Sequence, residues 1–297
     1  MDRIETVREL QARADAERAA GRRIALVPTM GALHEGHLSL VKAARERADA
    51  VWVSIFVNPT QFDDPGDLGR YPRTLEADLA ACRDAGVDVV FVPSADEMYP
   101  DGADTTVEAG ALSRPLCGAS RPGHFRGVAT VVTKLLLAAK PHVAVFGEKD
   151  FQQLVLIRRL ARDLLTGVEI VGAPIVREPD GLALSSRNQG LDAEARRQAV
   201  ALVRALDAAE AALAAGERRA AALLAAVRAE IALAPAAELD YVELRDPATL
   251  APAPAELEGP ALLALAVFLR PAAEGGAAVR LIDNRVLHPQ PRGGRPS

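Results

Sequence analysis

Two histidines, His34 and His37, stand three positions apart in VPTMGALHEGHLSLV, residues 27–41, directly after a short apolar run and a glycine. They are two of the five histidines in the chain. A helix that begins near Gly36 would place both imidazoles beside its partly positive N-terminal end. Such an end attracts phosphate, and an imidazole can donate a hydrogen bond to a phosphate oxygen as negative charge develops there. The pair therefore indicates a phosphate-binding turn.

Three other interpretations of the pair follow from residue types. A metal pair needs further ligands, and His124 and His142 offer no recognisable ligand spacing. A P-loop needs a lysine where His37 stands, so that interpretation fails. A helix cap with incidental histidines would be the first choice for one histidine, and the second histidine counts against it. The metal pair and the simple cap stay open.

Further polar residues lie in FGEKDFQQL, where a helical pattern begins. Lys149 and Asp150 can form a surface turn in which Asp150 caps the helix, a role compatible with a place in a site. Gln153, in the first turn of that helix, and Gln61, in NPTQF, can be solvated residues. As neutral amides that donate and accept hydrogen bonds, they also suit a small substrate with hydroxyl and carboxylate groups.

Two stretches combine arginine with other polar groups. RPGHFRG, residues 121–127, places two arginines before a helix, either as a solvated loop or as a clamp for an anion. DGLALSSRN, residues 180–188, brings two hydroxyls together with Arg187, which suits a clamp for a triphosphate. Cys82 and Cys117 have no partner that indicates a nucleophile, so both are expected to be structural.

The elements that must position these residues are short buried runs of β-branched residues, separated by helical patterns. The runs are 24–30, 51–58, 87–94, 143–149 and 168–177. Their alternation predicts an α/β fold, a Rossmann-like doubly wound parallel sheet with helices on both faces. Ligands bind beyond the carboxyl ends of such strands, where helices present free N–H groups. Because each polar turn follows a predicted strand, we expect one shared site.

The pattern changes after about residue 190. An alanine-rich stretch with apolar positions near a 3.6-residue period predicts two helices, separated at Gly216. Three strand-like runs follow, which predicts a second, smaller α+β domain at the C-terminus. The expected division is a nucleotide- and substrate-binding domain, 1–178, a small domain, 179–287, and a Pro/Gly-rich tail, 288–297, predicted to be disordered.

Composition limits the classes of function. The chain has 297 residues, a net charge of −5 and a pI near 5.7, whereas nucleic-acid-binding proteins usually show a basic face. The N-terminus, MDRIETVREL, lacks the apolar segment of a signal peptide, and no apolar run has the length needed to span a bilayer. We expect a cytoplasmic protein that binds neither nucleic acid nor membrane.

Several motifs resemble known signatures. HEGH resembles the HxGH signature of the HIGH-motif nucleotidyltransferase superfamily, and LSSRN resembles its KMSKS-type signature, with Arg187 where lysine often stands. Within that superfamily the chain resembles the pantothenate synthetase (pantoate–β-alanine ligase) family through five motifs in order: PTMGALHEGH, SIFVNPTQF, RPGHFRGV, FGEKDFQQL and DGLALSSRN. The resemblance covers residues 1 to about 287, and only the tail departs from it.

The resemblance implies a ligase that makes pantothenate from pantoate, β-alanine and ATP, releasing AMP and pyrophosphate. Pantoate's carboxylate would attack the α-phosphorus to give pantoyl adenylate, and the amine of β-alanine would then displace AMP. Mg²⁺ is expected to accompany ATP, with unknown protein ligands because that ion often binds through phosphates and water. A homodimer formed through the larger domain is also implied, with the smaller domain as a lid.

The resemblance further implies which residues carry the chemistry. His34, His37, Lys149 and Arg187 would be catalytic, with His37 as the proton donor. The implied ATP contacts are Met30, Gly31, Ala32, Leu33, His34, Glu35, Gly36, His37, Gly147, Glu148, Lys149, Asp150, Val176, Leu184, Ser185, Ser186 and Arg187.

The implied substrate residues are Gln61 and Gln153 for pantoate, with Gln61 also near β-alanine, and Asn58 and Arg121 lining the same pocket. Two other functions stay open. An adenylyltransferase that keeps its nucleotide product would need extra basic residues near the acceptor, whereas the two glutamines indicate a neutral pocket. A regulatory module that binds a nucleotide without turnover is the second.

Overall fold

The computed structural model describes residues 1–63, 65–272 and 277–290. The chain forms two compact units, Met1–Val176 and Arg177–Ser297. Of the tail predicted to be disordered, residues 291–297 lie outside the described residues. No helix among the described residues is both long enough and apolar enough to cross a membrane.

The first unit contains a parallel sheet, as the sequence predicted, and this sheet has six strands. Its strands are β1 (Asp2–Ile4), β2 (Ile24–Thr29), β3 (Ala50–Ile55), β4 (Val89–Phe91), β5 (Val143–Gly147) and β6 (Glu169–Ala173). Their order is β1-β4-β3-β2-β5-β6, and every neighbouring pair is parallel. The strands β3, β2 and β5, which precede three of the polar turns, are therefore neighbours.

Helices cover both faces of this sheet. They are α1 (Val7–Ala19), α2 (Glu35–Arg45), α3 (Pro65–Arg70), α4 (Leu75–Asp84), α5 (Ala95–Met98), α6 (Cys117–Ser120), α7 (His124–Ala139) and α8 (Phe151–Asp163). Alternate residues of a strand point to opposite faces. In β2, Ile24 and Leu26 pack in the core with α1, α7 and α8, whereas Ala25 and Val27 pack with α2 and α4.

Strand β1 was not predicted. It pairs with β4 at the edge of the sheet, with Asp2 opposite Val89 and Ile4 opposite Phe91. Its residues are Asp-Arg-Ile, and the two charged ones are exposed. So short an edge strand carries no apolar run, and only its pairing with β4 makes it a strand.

The second unit is the predicted smaller α+β domain. It has an antiparallel sheet in the order β7 (Ala237–Arg245), β8 (Ala261–Leu269) and β9 (Val279–Leu287). Its α-helices are α9 (Ala193–Ala199), α10 (Ala201–Ala214) and α11 (Ala220–Ala232). The prediction of two helices was wrong, because Val200 separates α9 from α10. Gly216, with a φ of 99°, lies between α10 and α11 as predicted.

Candidate active site

The turn after β2 has an unusual backbone that other residues hold in place. Gly31 and Ala32 both have positive φ, 82° and 51°. The N–H of Gly31 donates to Thr29 Oγ1 at 3.2 Å. The next two N–H groups, of Ala32 and Leu33, donate to the carboxylate of Asp78 at 3.0 and 2.8 Å. Asp78 lies outside all the motifs recognised in the sequence.

His34 and His37 together form the start of α2. The Nδ1 atom of His34 accepts the N–H of Gly36 at 3.1 Å, and the Nδ1 atom of His37 accepts the N–H of His34 at 3.3 Å. The two rings lie 4.1 Å apart between centroids. The pair therefore does cap the helix, and because each Nδ1 accepts a hydrogen bond, the neutral rings carry their hydrogen on Nε2.

The environment keeps both imidazoles neutral. Burial, then the repulsion that a proton on His34 would exert, and then the charge of Lys149, lower the pKa of His37 from 6.5 to about 3. Burial, then Lys149, also lower the pKa of His34. At neutral pH the pair thus offers two uncharged Nε2–H donors, with an ammonium group nearby.

The prediction that this turn presents free backbone N–H groups to a ligand was largely wrong. Those of Gly31, Ala32, Leu33, His34 and Gly36 all donate within the protein. The reason is that Asp78, Thr29 and the two imidazoles already accept from them. Since Nδ1 of each imidazole accepts a backbone hydrogen bond, the Nε2–H groups are the side-chain donors that this turn has to offer.

The turn after β5 brings a positive charge to the same place. Glu148–Asp150 form one turn of 3₁₀ helix between β5 and α8. Lys149 lies in this turn, its charge lowers the pKa of both histidines, and its Nζ lies 4.0 Å from Asp150 Oδ2. Asp150 precedes α8 but makes no capping hydrogen bond through its side chain to the described residues, so the side-chain cap that the sequence allowed there does not form.

The turn after β3 carries Gln61 in a fixed orientation. Gln61 Oε1 accepts from Asn58 Nδ2 at 2.9 Å, and Gln61 Nε2 donates to Met30 Sδ at 3.1 Å. The amide oxygen is thus committed to the protein, while Nε2 has a second hydrogen to offer. The contact with Met30 joins this turn to the one after β2.

Asn58, expected to line the pocket, has its whole amide engaged by the protein. Its Nδ2 donates to Gln61 and to Gly127 O, the latter at 3.2 Å. Its Oδ1 accepts from Tyr99 Oη at 2.8 Å and from Thr60 Oγ1 at 2.9 Å. The residue is 1% exposed, so its amide positions Gln61 and is not presented to a ligand.

Arg121 is held by the same turn. Its Nη2 donates to Asp63 Oδ1 at 2.9 Å and to Gln61 O at 3.1 Å. His124 Nδ1 lies 2.8 Å from Gln61 O and donates to it, because a carbonyl only accepts. Burial and then Arg121 lower the pKa of His124 to about 4, so that ring is neutral as well. The charge of Arg121 is partly neutralised by Asp63.

The two glutamines of α8 differ. Gln152 is 5% exposed, and its Nε2 donates to Leu112 O and Pro115 O at 3.0 and 2.7 Å. Gln153, the implied pantoate residue, is partly exposed in the first turn of α8.

The remaining predicted residues belong to later segments of the chain. Val176 is the last residue of the first unit. In the second unit, Ser185 Oγ accepts the N–H of Arg187 at 3.3 Å and begins the 3₁₀ turn Ser186–Gly190. Leu184 and Arg187 are partly buried there, and Ser186 is buried.

Comparisons with known proteins give one consistent result. The model of a family described as pantoate-β-alanine ligase matches residues 2–286. The pantothenate synthetase of Syntrophobacter fumaroxidans is 54% identical over 96% of this chain and 98% of its own. The crystal structure of pantothenate synthetase from Thermus thermophilus is 44% identical, with a TM-score of 0.89 over 97% of this chain and 100% of that one.

A third relative was crystallised with ligands. The structure of pantoate-β-alanine ligase from Francisella tularensis, complexed with β-γ ATP and β-alanine, is 35% identical to this chain. The match covers 96% of this chain and 97% of the Francisella chain, with a TM-score of 0.76.

Proposed function

Because the chain belongs to the pantoate-β-alanine ligase family, we propose that it makes pantothenate through pantoyl adenylate, with AMP and pyrophosphate as the other products. As a member of this family it is an enzyme that joins pantoate to β-alanine. The complex of the Francisella relative with β-γ ATP and β-alanine supports ATP as the third substrate.

In the first step, a carboxylate oxygen of pantoate attacks the α-phosphorus of ATP, and the bond from that phosphorus to pyrophosphate breaks. This reaction needs positioning and stabilisation of negative charge. The observation that carries the proposal is that His34 and His37 use Nδ1 to accept backbone hydrogen bonds. Their Nε2–H groups can then donate to phosphate oxygens, and Lys149 adds positive charge beside them.

In the second step, the amine of β-alanine attacks the acyl carbon, AMP leaves and the amine loses a proton. Gln61 would hold pantoate through its free Nε2–H, and Gln153 through its amide. A neutral amide orients a carboxylate without the strong stabilisation of the ground state that a bidentate arginine gives. Arg121, paired with Asp63, would complete the wall of the pocket.

The other assignments are part of the same proposal. Met30 to His37, Gly147 to Asp150 and Val176 would bind ATP, and Leu184 to Arg187 would clamp its triphosphate. Residues 1–63, 65–272 and 277–290 include no group of three or more His, Cys, Asp or Glu that could hold a metal ion. We propose that Mg²⁺ is bound mainly through the phosphates of ATP, where it would supply positive charge that favours departure of pyrophosphate. A cytoplasmic homodimer also stays a prediction.

Exchange of label between pyrophosphate and ATP tests the first step alone. It should require pantoate and proceed without β-alanine. His37→Ala and Lys149→Ala should each lower the exchange rate roughly 10²- to 10³-fold, the usual loss for one stabilising donor. Lys42→Ala, at an exposed position of α2, is the control for lost charge and should leave exchange unchanged. No pantoate-dependent exchange by the unaltered enzyme would refute the adenylate proposal.

A further inference from the structure

We propose that Asp78 is a positioning residue that holds the turn carrying His34 and His37 in the form that binds ATP. The inference rests on the proposed function. Asp78 lies in α4, on a different element from every residue assigned to the site so far, and none of the sequence motifs includes it.

The position of Asp78 within α4 is unusual for a carboxylate. Leu75, Leu79 and Cys82 form the apolar stripe of this helix, and Asp78 stands on the same stripe at helical spacing. The residue is 3% exposed. A buried carboxylate is retained only where it is well supplied with hydrogen bonds. Two of the donors found here are backbone N–H groups of the turn after β2.

The carboxylate binds consecutive amides of the turn after β2. One oxygen accepts the N–H of Ala32 and the other that of Leu33, while Thr74 Oγ1 lies 3.2 Å from both oxygens. Hydrogen bonds to a charged acceptor are about twice as strong as neutral ones. Asp78 thus fixes two adjacent peptide groups at once.

The turn needs such support because its backbone is unfavourable. Ala32 has a φ of 51°, a region that residues with a Cβ rarely adopt. Gly31 packs directly on the carboxylate, since a Cβ at this position would lie 3.0 Å from Asp78 Oδ2. Without the carboxylate, the chain would relax towards commoner conformations.

Leu33 connects Asp78 to the two imidazoles. Leu33, bound by Asp78, directly precedes His34, whose N–H donates to His37 Nδ1. A change in the turn therefore reorients both imidazoles and their Nε2–H groups.

The test compares Asp78→Asn with Glu76→Gln, which removes the same charge from an exposed position of the same helix. An asparagine has one oxygen, so an NH₂ group would face one of the two backbone N–H donors. The kcat/KM for ATP in pantoate-dependent exchange should fall about ten-fold or more, the loss expected for one hydrogen bond to a charged group. The KM for β-alanine in the full reaction should stay within about two-fold, and Glu76→Gln should match the unaltered enzyme.

Two further measurements separate positioning from simple destabilisation. The ¹⁵N signals of the imidazoles in the ligand-free protein should shift in Asp78→Asn and stay in place in Glu76→Gln. Thr74→Val removes only the hydroxyl that supports the carboxylate, so it should shift the imidazole signals less, in the same direction. If Asp78→Asn does not fold, the signals of Thr74→Val test the role of Asp78.

Unchanged imidazole signals, or equal losses for ATP and β-alanine, would overturn the role of Asp78. The imidazole signals need no turnover, so they test this role even if the unaltered enzyme shows no exchange and the adenylate proposal fails.

Discussion

The two ring nitrogens of His34 and His37 have different tasks. Nδ1 of each ring completes the start of α2, and Nε2–H remains for a ligand. From the sequence, a helix cap and a phosphate-binding pair were alternatives. In the structure the same rings form the cap and leave Nε2–H for the proposed contact with phosphate, because an imidazole has two distinct ring nitrogens.

Stability should therefore depend on the charge of His37. Its pKa in the folded chain, about 3, is below the ordinary value of 6.5, so the unfolded chain binds the proton more tightly. The free energy of unfolding should fall as the pH is lowered from 6.5 towards about 3, because protonation at Nδ1 breaks the cap. His37→Gln should make that dependence less steep in urea unfolding at a series of pH values.

A matched variant controls for the loss of a histidine. His288 is exposed, so His288→Gln should keep the pH dependence of the unaltered protein. If His37→Gln also kept it unchanged, the burial of a neutral His37 would be the wrong explanation.

Gln61 should act only as a donor towards the acid. Gln61→Glu keeps an oxygen for Asn58 but replaces the free Nε2–H by a charged oxygen next to the carboxylate of pantoate. The KM for pantoate should rise about ten-fold or more, with the KM for ATP little changed. Steady-state kinetics with each substrate varied would show this. Gln11→Glu, the same change on α1, should behave as the unaltered enzyme, and a normal KM for pantoate in Gln61→Glu would disprove the orientation.

At the scale of elements, α7 and the 3₁₀ turn Pro59–Gln61 meet at Gly127. A Cβ there would lie 2.3 Å from Thr60 O and 2.7 Å from Gln61 N, and backbone atoms give way poorly. Gly127→Ala should displace the turn, destabilise the protein by about 1–3 kcal/mol and impair the use of pantoate. Thermal unfolding and pantoate kinetics measure both effects.

Gly69→Ala, in α3, is the matched control. A Cβ there meets nothing within 4 Å, so neither stability nor kinetics should suffer. Full activity in Gly127→Ala would mean that the approach of α7 to the turn does not position Gln61.

Elements with strong periodicity could be predicted, and others could not. The apolar run in β2 and the stripe in α8 are visible in the sequence because burial alone determines them. β1 has one apolar residue and exists through its pairing with β4. Asp78 had a usable signal, a carboxylate on the apolar stripe of α4, but its partners lie 45 and 46 positions away.

At the scale of the whole chain, topology accounts for the site in the first unit. Parallel strands bring their carboxyl ends to one edge, so polar turns after β3, β2 and β5 were bound to converge. The bonds across those turns were beyond prediction. Gln61 forms hydrogen bonds with Met30, 31 positions away in the sequence, and with His124, 63 positions away. Such contacts depend on side-chain packing, which no local sequence pattern predicts.

The path of one oxygen atom tests the adenylate mechanism most directly. With ¹⁸O in the carboxylate of pantoate, attack on the α-phosphorus makes that oxygen the bridge of pantoyl adenylate. When the amine of β-alanine displaces AMP, the oxygen leaves with the phosphate of AMP. Mass spectrometry of the products of the full reaction should therefore find one ¹⁸O in each AMP and none in pyrophosphate. AMP without the label, or label in released phosphate, would contradict the mechanism.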